Sequence, residues 1–127
     1  MPTWRQPPPA VWPSAARQLA MLNVPAYLDR IAYTESLAPT FEVLRNLHRA
    51  HLLSVPFENL DIAAGRKIVC EENAFIDKIV ERRRGGFCYE LNGAFAALLR
   101  AIGFQVTLPS ARVPGEDDSD GPEFDHL

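Results

Sequence analysis

The stretch Arg84-Gly85-Gly86-Phe87-Cys88-Tyr89-Glu90-Leu91-Asn92 decides the fold, because it sets a cysteine between a Gly-Gly pair and an apolar helical pattern. The apolar residues recur at helical spacing and predict a helix from Cys88 to Ile102, ended by Gly103: Leu91, Phe95, Leu98, Leu99 and Ile102. A helix N-terminus has unpaired N–H groups and partial positive charge, which stabilise a thiolate. The pattern therefore indicates a nucleophilic Cys88; the alternative is an inert, buried cysteine.

Three helices are predicted upstream of this stretch. The first covers residues 26–33, and the second begins after the N-cap Thr40 and ends before Pro56. The third begins at about Asn73, carries Arg82, Arg83 and Arg84 in its last turn, and ends at the Gly-Gly pair. Between the second and third helices, residues 55–62 are predicted to turn into an extended segment.

The two ends of the chain differ from this helical middle. Residues 1–20 contain five prolines and predict a disordered extension, so the helical domain is expected at residues 21–103. Beyond it, Phe104, Val106 and Leu108 alternate with polar residues and predict a strand, which Pro109 limits to an edge. The predicted fold class is therefore α+β, with residues 104–127 beginning a β domain.

Composition restricts the class of protein. The chain has 127 residues with 47% hydrophobic and 23% charged residues, as expected for one globular domain. Its net charge of −3 and lack of a long apolar run predict no nucleic-acid or membrane partner. Its two cysteines form no disulfide framework, which indicates the cytoplasm.

Other residues with possible chemistry carry weaker signals. His48 and His51 have a spacing compatible with a metal pair, but no further ligands accompany them, and no metal is expected. Cys70 has no basic neighbour and is predicted to be structural, with a zinc or disulfide role shared with Cys88 as a poor alternative. His126 is a candidate base for Cys88. The sequence carries no signal for the oligomeric state.

Two separated motifs together resemble those of the arylamine N-acetyltransferase family. The first is Leu47-His48-Arg49-Ala50-His51 through Val55-Pro56-Phe57-Glu58-Asn59-Leu60, and the second is Arg83-Arg84-Gly85-Gly86-Phe87-Cys88-Tyr89-Glu90-Leu91-Asn92 with Gly103-Phe104. The resemblance covers about residue 24 to the end. It implies a helical bundle followed by a β-barrel, as in cysteine proteases, of which this chain would hold only the first strands.

The resemblance also implies roles for individual residues. Cys88 matches the nucleophile, and His126 matches the histidine of a catalytic triad whose aspartate would lie beyond Leu127. Arg84 and Glu58 match an ion pair that braces the site. Phe57 and Phe87 match aromatic positions near the acyl pocket, although packing alone is an equally good reason for each of these four.

The implied reaction is ping-pong transfer of an acetyl group from acetyl-CoA, through a Cys88 thioester, to an arylamine or hydrazine. Acetyl-CoA is then a substrate, and no tightly bound cofactor is expected. Two alternatives remain: an amide synthase of natural-product biosynthesis, and a truncated, inactive fragment. Without the triad aspartate, weak or absent activity is expected for the chain as written.

Overall fold

The structure is a computed structural model that describes residues 22–113, and in this range it is helical. The predicted extension at residues 1–20 and the candidate base His126 lie outside the described residues. The elements, in chain order, are α1 (Val24–Arg30), α2 (Phe41–Ser54), α3 (Leu60–Ala63), α4 (Glu72–Ile76), a π-helical turn (Asp77–Glu81) and α5 (Cys88–Ile102).

Local capping fixes where α1 and α2 begin. The Asn23 side chain accepts a hydrogen bond from the Ala26 N–H at 3.0 Å, so α1 begins two residues before the prediction. Thr40 caps α2 as predicted, and its hydroxyl accepts a hydrogen bond from the Val43 N–H at 3.3 Å. The second helix ends at Ser54, because Pro56 disfavours helical backbone in the residue before it.

The predictions for the segment between α2 and α5 were partly wrong. Residues 55–62 include the short helix α3, which no apolar periodicity signals. The third helix ends at Glu81, so the three arginines follow it and the Gly-Gly pair does not end it. Its last turn widens to π-helix, with a hydrogen bond from the Arg82 N–H to the Asp77 carbonyl at 2.9 Å. Arg83 then turns the chain with a φ of 49°.

The core lies where α1, α2, α4, the π-helical turn and α5 meet. Its largest fully buried side chains come from four of these elements and the turn after α1: Tyr27, Ile31, Leu47, Ile79 and Leu98. Helix α4 approaches α5 closely, because a Cβ on Gly93 would lie 2.6 Å from the Phe75 ring. No residue of α5 is exposed, and the helix is held against α1, α2 and α4, which fixes the direction in which Cys88 begins it.

Helix α5 has the predicted bounds, whereas the strand predicted after it is absent from the described residues. Gly103 ends the helix in the left-handed region with a φ of 113°. Phe104 and Val106 pack against the core while Gln105 and Thr107 are exposed, so the predicted alternation is present. Residues 104–110 nevertheless form no strand in the described part of the chain, and the Phe104 N–H donates back to the Leu99 carbonyl of α5 at 3.0 Å.

Candidate functional site

The two sequence motifs meet directly in front of Cys88. Phe57 and Gly86 form a parallel bridge, in which the Glu58 N–H donates to the Gly86 carbonyl at 2.9 Å and the Gly86 N–H donates to the Pro56 carbonyl at 3.2 Å. The segment after α2 is thereby fixed to the segment that enters α5. As a result, Phe57, two-thirds exposed, lies beside the entry to the Cys88 helix.

Both glycines of the Gly-Gly pair are needed for this approach. A Cβ on Gly85 would overlap the Pro56 carbonyl oxygen, and a Cβ on Gly86 would lie 2.6 Å from Oε2 of Glu90. A larger residue at Gly85 would push the two segments apart, and one at Gly86 would displace the Glu90 side chain. The Gly-Gly pair therefore serves backbone contact, and the helix before it ends for other reasons.

Cys88 is the first residue of α5 and is half-buried. The N–H of the preceding residue, Phe87, donates to Oε2 of Glu90 at 3.0 Å, which is one half of a capping box. The rings of Phe87 and Tyr89 lie 6.0 Å apart between centroids, on either side of the cysteine in sequence. The thiol is thus held at a helix N-terminus, beside backbone N–H groups that lack helical partners.

A cluster of buried and half-buried charges lies beneath this helix entry, and we call it the Lys78 cluster: Lys78, Arg84, Glu58, Asp61 and Glu90. The Lys78 side chain is only 3% exposed, and its Nζ lies 2.9 Å from Glu90, 3.1 Å from Asp61 and 3.3 Å from Glu58. Arg84 contacts Glu58 and Asp61, each at 3.0 Å. The cluster therefore links α3, the π-helical turn and the start of α5.

The pKa values of the cluster favour its charged forms. Burial lowers the pKa of Lys78, but the hydrogen bonds to Glu90 and Asp61 outweigh it and raise that pKa above its usual value. Hydrogen bonds from Lys78 and Arg84 hold the pKa of Asp61 below its usual value. Partial burial raises the pKa of Glu58, but the Leu60 N–H and the two cations outweigh it and leave that pKa lowered.

The sequence analysis named Arg84 and Glu58 but missed Lys78, Asp61 and Glu90. A signal for Lys78 was present, because a lysine among Phe75, Ile76, Ile79 and Val80 lies within the apolar pattern of its helix. A lysine in that position needs a buried carboxylate. Glu90 also had a signal, since a glutamate at the third position of a helix is typical of a capping box.

A second buried cation, Arg30, holds the backbone that leads to Gly85. Its Nε donates to the Ile79 carbonyl at 2.8 Å, and its terminal nitrogens donate to the carbonyls of Ser54 at 2.7 Å and Arg84 at 3.2 Å. These carbonyls lie at the end of α2 and around the π-helical turn, where backbone acceptors lack helical partners. Arg30 therefore connects three chain segments behind the site.

The other candidate residues lie elsewhere. Cys70 is exposed, and partial desolvation followed by the charges of Glu90 and Cys88 raises its thiol pKa, which disfavours a thiolate. His51 is buried and shares a hydrogen bond with the Tyr27 hydroxyl, whereas His48 is exposed. Among residues 22–113, no three His, Cys, Asp or Glu side chains are grouped so as to hold a metal ion.

Comparison with known proteins agrees with this geometry. A family model described as N-acetyltransferase matches residues 40–127, and the curated relatives that match are arylamine N-acetyltransferases. The chain belongs to the arylamine N-acetyltransferase family.

Individual relatives of this family are similar over most of the chain. The arylamine N-acetyltransferase / N-hydroxyarylamine O-acetyltransferase of Salmonella typhimurium is 47% identical over 88 residues, which are 69% of this chain and 31% of that protein. The arylamine N-acetyltransferase of Mycobacterium bovis is 40% identical over 102 residues, 80% of this chain and 36% of that protein. This chain thus spans about a third of the length of these relatives.

A solved structure of the family has the same fold over the shared part. The arylamine N-acetyltransferase of Mycobacterium marinum in complex with CoA is 38% identical and superimposes with a TM-score of 0.74, covering 80% of this chain and 38% of that one. No helix in residues 22–113 of the present protein has the length and apolarity needed to cross a membrane.

Proposed function

We propose that the protein transfers an acetyl group from acetyl-CoA to an arylamine or hydrazine by way of a thioester on Cys88. The observation that carries this proposal is the position of Cys88, half-buried at the first residue of α5 directly behind the joined Gly85-Gly86 and Phe57 segments. Membership of the arylamine N-acetyltransferase family supports the reaction, and the relative solved with CoA supports the acyl donor.

The proposed reaction has two halves. The Cys88 thiolate attacks the thioester carbonyl of acetyl-CoA, a tetrahedral oxyanion forms, and CoA leaves as a thiolate that takes a proton. The amine then attacks acetyl-Cys88 and releases the amide, while the cysteine regains its negative charge or proton. We assign the proton transfers to His126, which matches the family histidine, and N–H groups at the start of α5 can donate to the oxyanion.

The remaining residues of the site have supporting roles in this proposal. Arg84 and Glu58, paired at 3.0 Å, keep the two joined segments in place. Phe57 and Phe87 are proposed to border the acyl group, because Phe87 directly precedes Cys88 and Phe57 is bridged to Gly86. No tightly bound cofactor is proposed, because acetyl-CoA enters as a substrate.

The proposal includes the organisation of the chain. Residues 21–103 form the helical domain that supplies the nucleophile, residues 1–20 are an extension to it, and residues 104–127 begin the β-barrel of the family. The proposed partners are small molecules: acetyl-CoA and the acceptor amine. The proposed location is the cytoplasm, which is supported by two cysteines that are free thiols.

The test is to incubate the full chain with acetyl-CoA and to measure its intact mass and the position of the added acetyl group. After long incubation we expect one acetyl group on Cys88, because even weak activity completes a single acetylation, and we expect an arylamine to remove it with formation of the amide. The variant Cys70→Ser is the matched control and should acetylate normally, whereas Cys88→Ser should not. Acetylation of Cys70, or no thioester on a folded chain, would contradict the proposal.

A further inference from the structure

We infer that Lys78 is a positioning residue for Cys88, acting through Glu90 and through the segment that carries Phe57. The inference rests on the proposed function only in taking Cys88 as the nucleophile. It concerns a residue in the π-helical turn, the element directly before α5, and it follows from where the three carboxylates of the Lys78 cluster are attached.

The first attachment is Glu90, which holds the entry to α5. Nζ of Lys78 lies 3.0 Å from Oε1 and 2.9 Å from Oε2 of Glu90, so the ammonium bridges both carboxylate oxygens. The Oε2 atom also accepts the hydrogen bond from the Phe87 N–H. Lys78 therefore holds the carboxylate that accepts from the Gly86–Phe87 peptide unit, one residue before Cys88.

The second attachment is the segment of the first motif. Lys78 lies 3.3 Å from Glu58 and 3.1 Å from Asp61, and the Glu58 N–H is bonded to the Gly86 carbonyl. One ammonium group thus contacts the first of the two segments that meet in front of the thiol directly, and the second through Glu90. An ammonium group has three N–H donors, so Lys78 can donate to Glu90 and to the carboxylates of Glu58 and Asp61 at the same time.

Burial makes this link strong and its loss costly. The side chains of Lys78 and Glu90 are 3% and 6% exposed, so neither charge can be hydrated where it lies. Without Lys78, Arg84 and Arg66 would still pair with Glu58 and Asp61, whereas Glu90 would lose the ammonium group that it contacts. Repulsion among the three carboxylates would pull Glu90 from the Phe87 N–H and separate the two segments, while the apolar core around Leu98 would keep its contacts.

Hydrogen exchange at single amides tests the inference in the full chain. In Lys78→Met we expect the amides of Phe87 and Glu58 to exchange at least about tenfold faster, the loss of one hydrogen bond each, while the buried amide of Leu98 keeps its protection. Lys67→Met removes an exposed lysine and should change none of them. Equal loss of protection at all three amides, or no change at Phe87, would overturn the inference.

The reactivity of Cys88 gives a readout that instability alone cannot imitate. In a Cys70→Ser background, we expect Lys78→Met to slow the alkylation of Cys88 by iodoacetamide several-fold at one fixed pH, because the helix N-terminus no longer holds the thiolate. A role limited to stability would speed alkylation, since unfolding exposes the thiol. Alkylation at or above the unsubstituted rate would therefore count against positioning.

A pair of substitutions at Glu90 decides the question if Lys78→Met does not fold. Glu90→Gln retains an oxygen that can accept a hydrogen bond from the Phe87 N–H, so the amide of Phe87 should stay protected from exchange. In Glu90→Ala this amide should exchange about fivefold to tenfold faster. Equal protection of Phe87 in both variants would overturn the inference. These measurements use no acyl donor, so they can fail while acetylation of Cys88 succeeds, and the reverse.

Discussion

The buried histidine His51 predicts that mild acid destabilises the protein. The residue is 5% exposed in the last turn of α2, and its Nε2 lies 2.9 Å from the hydroxyl oxygen of Tyr27. Burial raises the pKa of Tyr27, so this hydroxyl remains protonated and brings no negative charge to the ring. Burial first, then the charges of His48 and Arg30, lower the pKa of His51 to about 4. The folded state therefore needs a neutral imidazole.

The size of the effect follows from the pKa values of the folded and unfolded states. The unfolded chain binds the proton with the ordinary pKa of 6.5 and the folded protein with a pKa of about 4. This contribution to stability is complete above the higher value and is lost as the pH falls toward the lower one. Each pH unit of separation corresponds to about 1.4 kcal/mol, so roughly 2 kcal/mol should be lost between about pH 7 and about pH 4.5.

Urea unfolding at these two pH values checks the prediction against His51→Gln. The variant should be less stable than the unsubstituted protein near neutral pH, because the ring packing 4.9 Å from Phe95 is lost. Its decrease in stability on acidification should be smaller by about 2 kcal/mol. His48 is exposed, and His48→Gln is the matched control. On acidification this variant should lose as much stability as the unsubstituted protein. The same decrease in His51→Gln would refute the reasoning.

Two further predictions concern the backbone around the site, and both are measured by urea unfolding. Gly85→Ala should lower the free energy of unfolding by about 3 kcal/mol, because its Cβ meets the rigid Pro56 carbonyl. The control is Gly65→Asn, because nothing lies within 4 Å of that position and asparagine tolerates its positive φ. Arg30→Met should lower the free energy of unfolding by about 4 kcal/mol, because it leaves buried carbonyls without donors. Arg83 is its exposed neighbour in space, and Arg83→Met should change this free energy by less than about 1 kcal/mol. Similar losses within either pair would contradict the argument.

The parts of the fold that the sequence predicted are those set by neighbouring residues. Helix α5 begins and ends as expected because its apolar stripe and Gly103 lie within one continuous segment. The start of α2 was correct because Thr40 caps the helix it precedes. In both cases the hydrogen bonds and the buried face involve residues at most a few turns apart, and sequence patterns record such relations directly.

The parts that the sequence did not predict depend on distant partners. The helix before the Gly-Gly pair can end at Glu81 because Arg30, on α1, supplies donors for the Ile79 carbonyl in the π-helical turn and the Arg84 carbonyl beyond it. Glycine near a helix end has two uses, as a terminator or as a site of close approach. Only the position of Pro56, which the structure brings against Gly85, distinguishes them.

The candidate site shows the same division between local and distant information. Cys88 could be located from its own segment, because a thiol at a helix start needs only the helix after it. The support for that thiol comes from Lys78, Glu58 and Asp61, which lie far from it in sequence. The structure brings them together because buried charges must be paired. A lysine within an apolar helical face is therefore the most useful sign of such support in a sequence: its ammonium requires carboxylates from other segments, and those segments must then meet at one place.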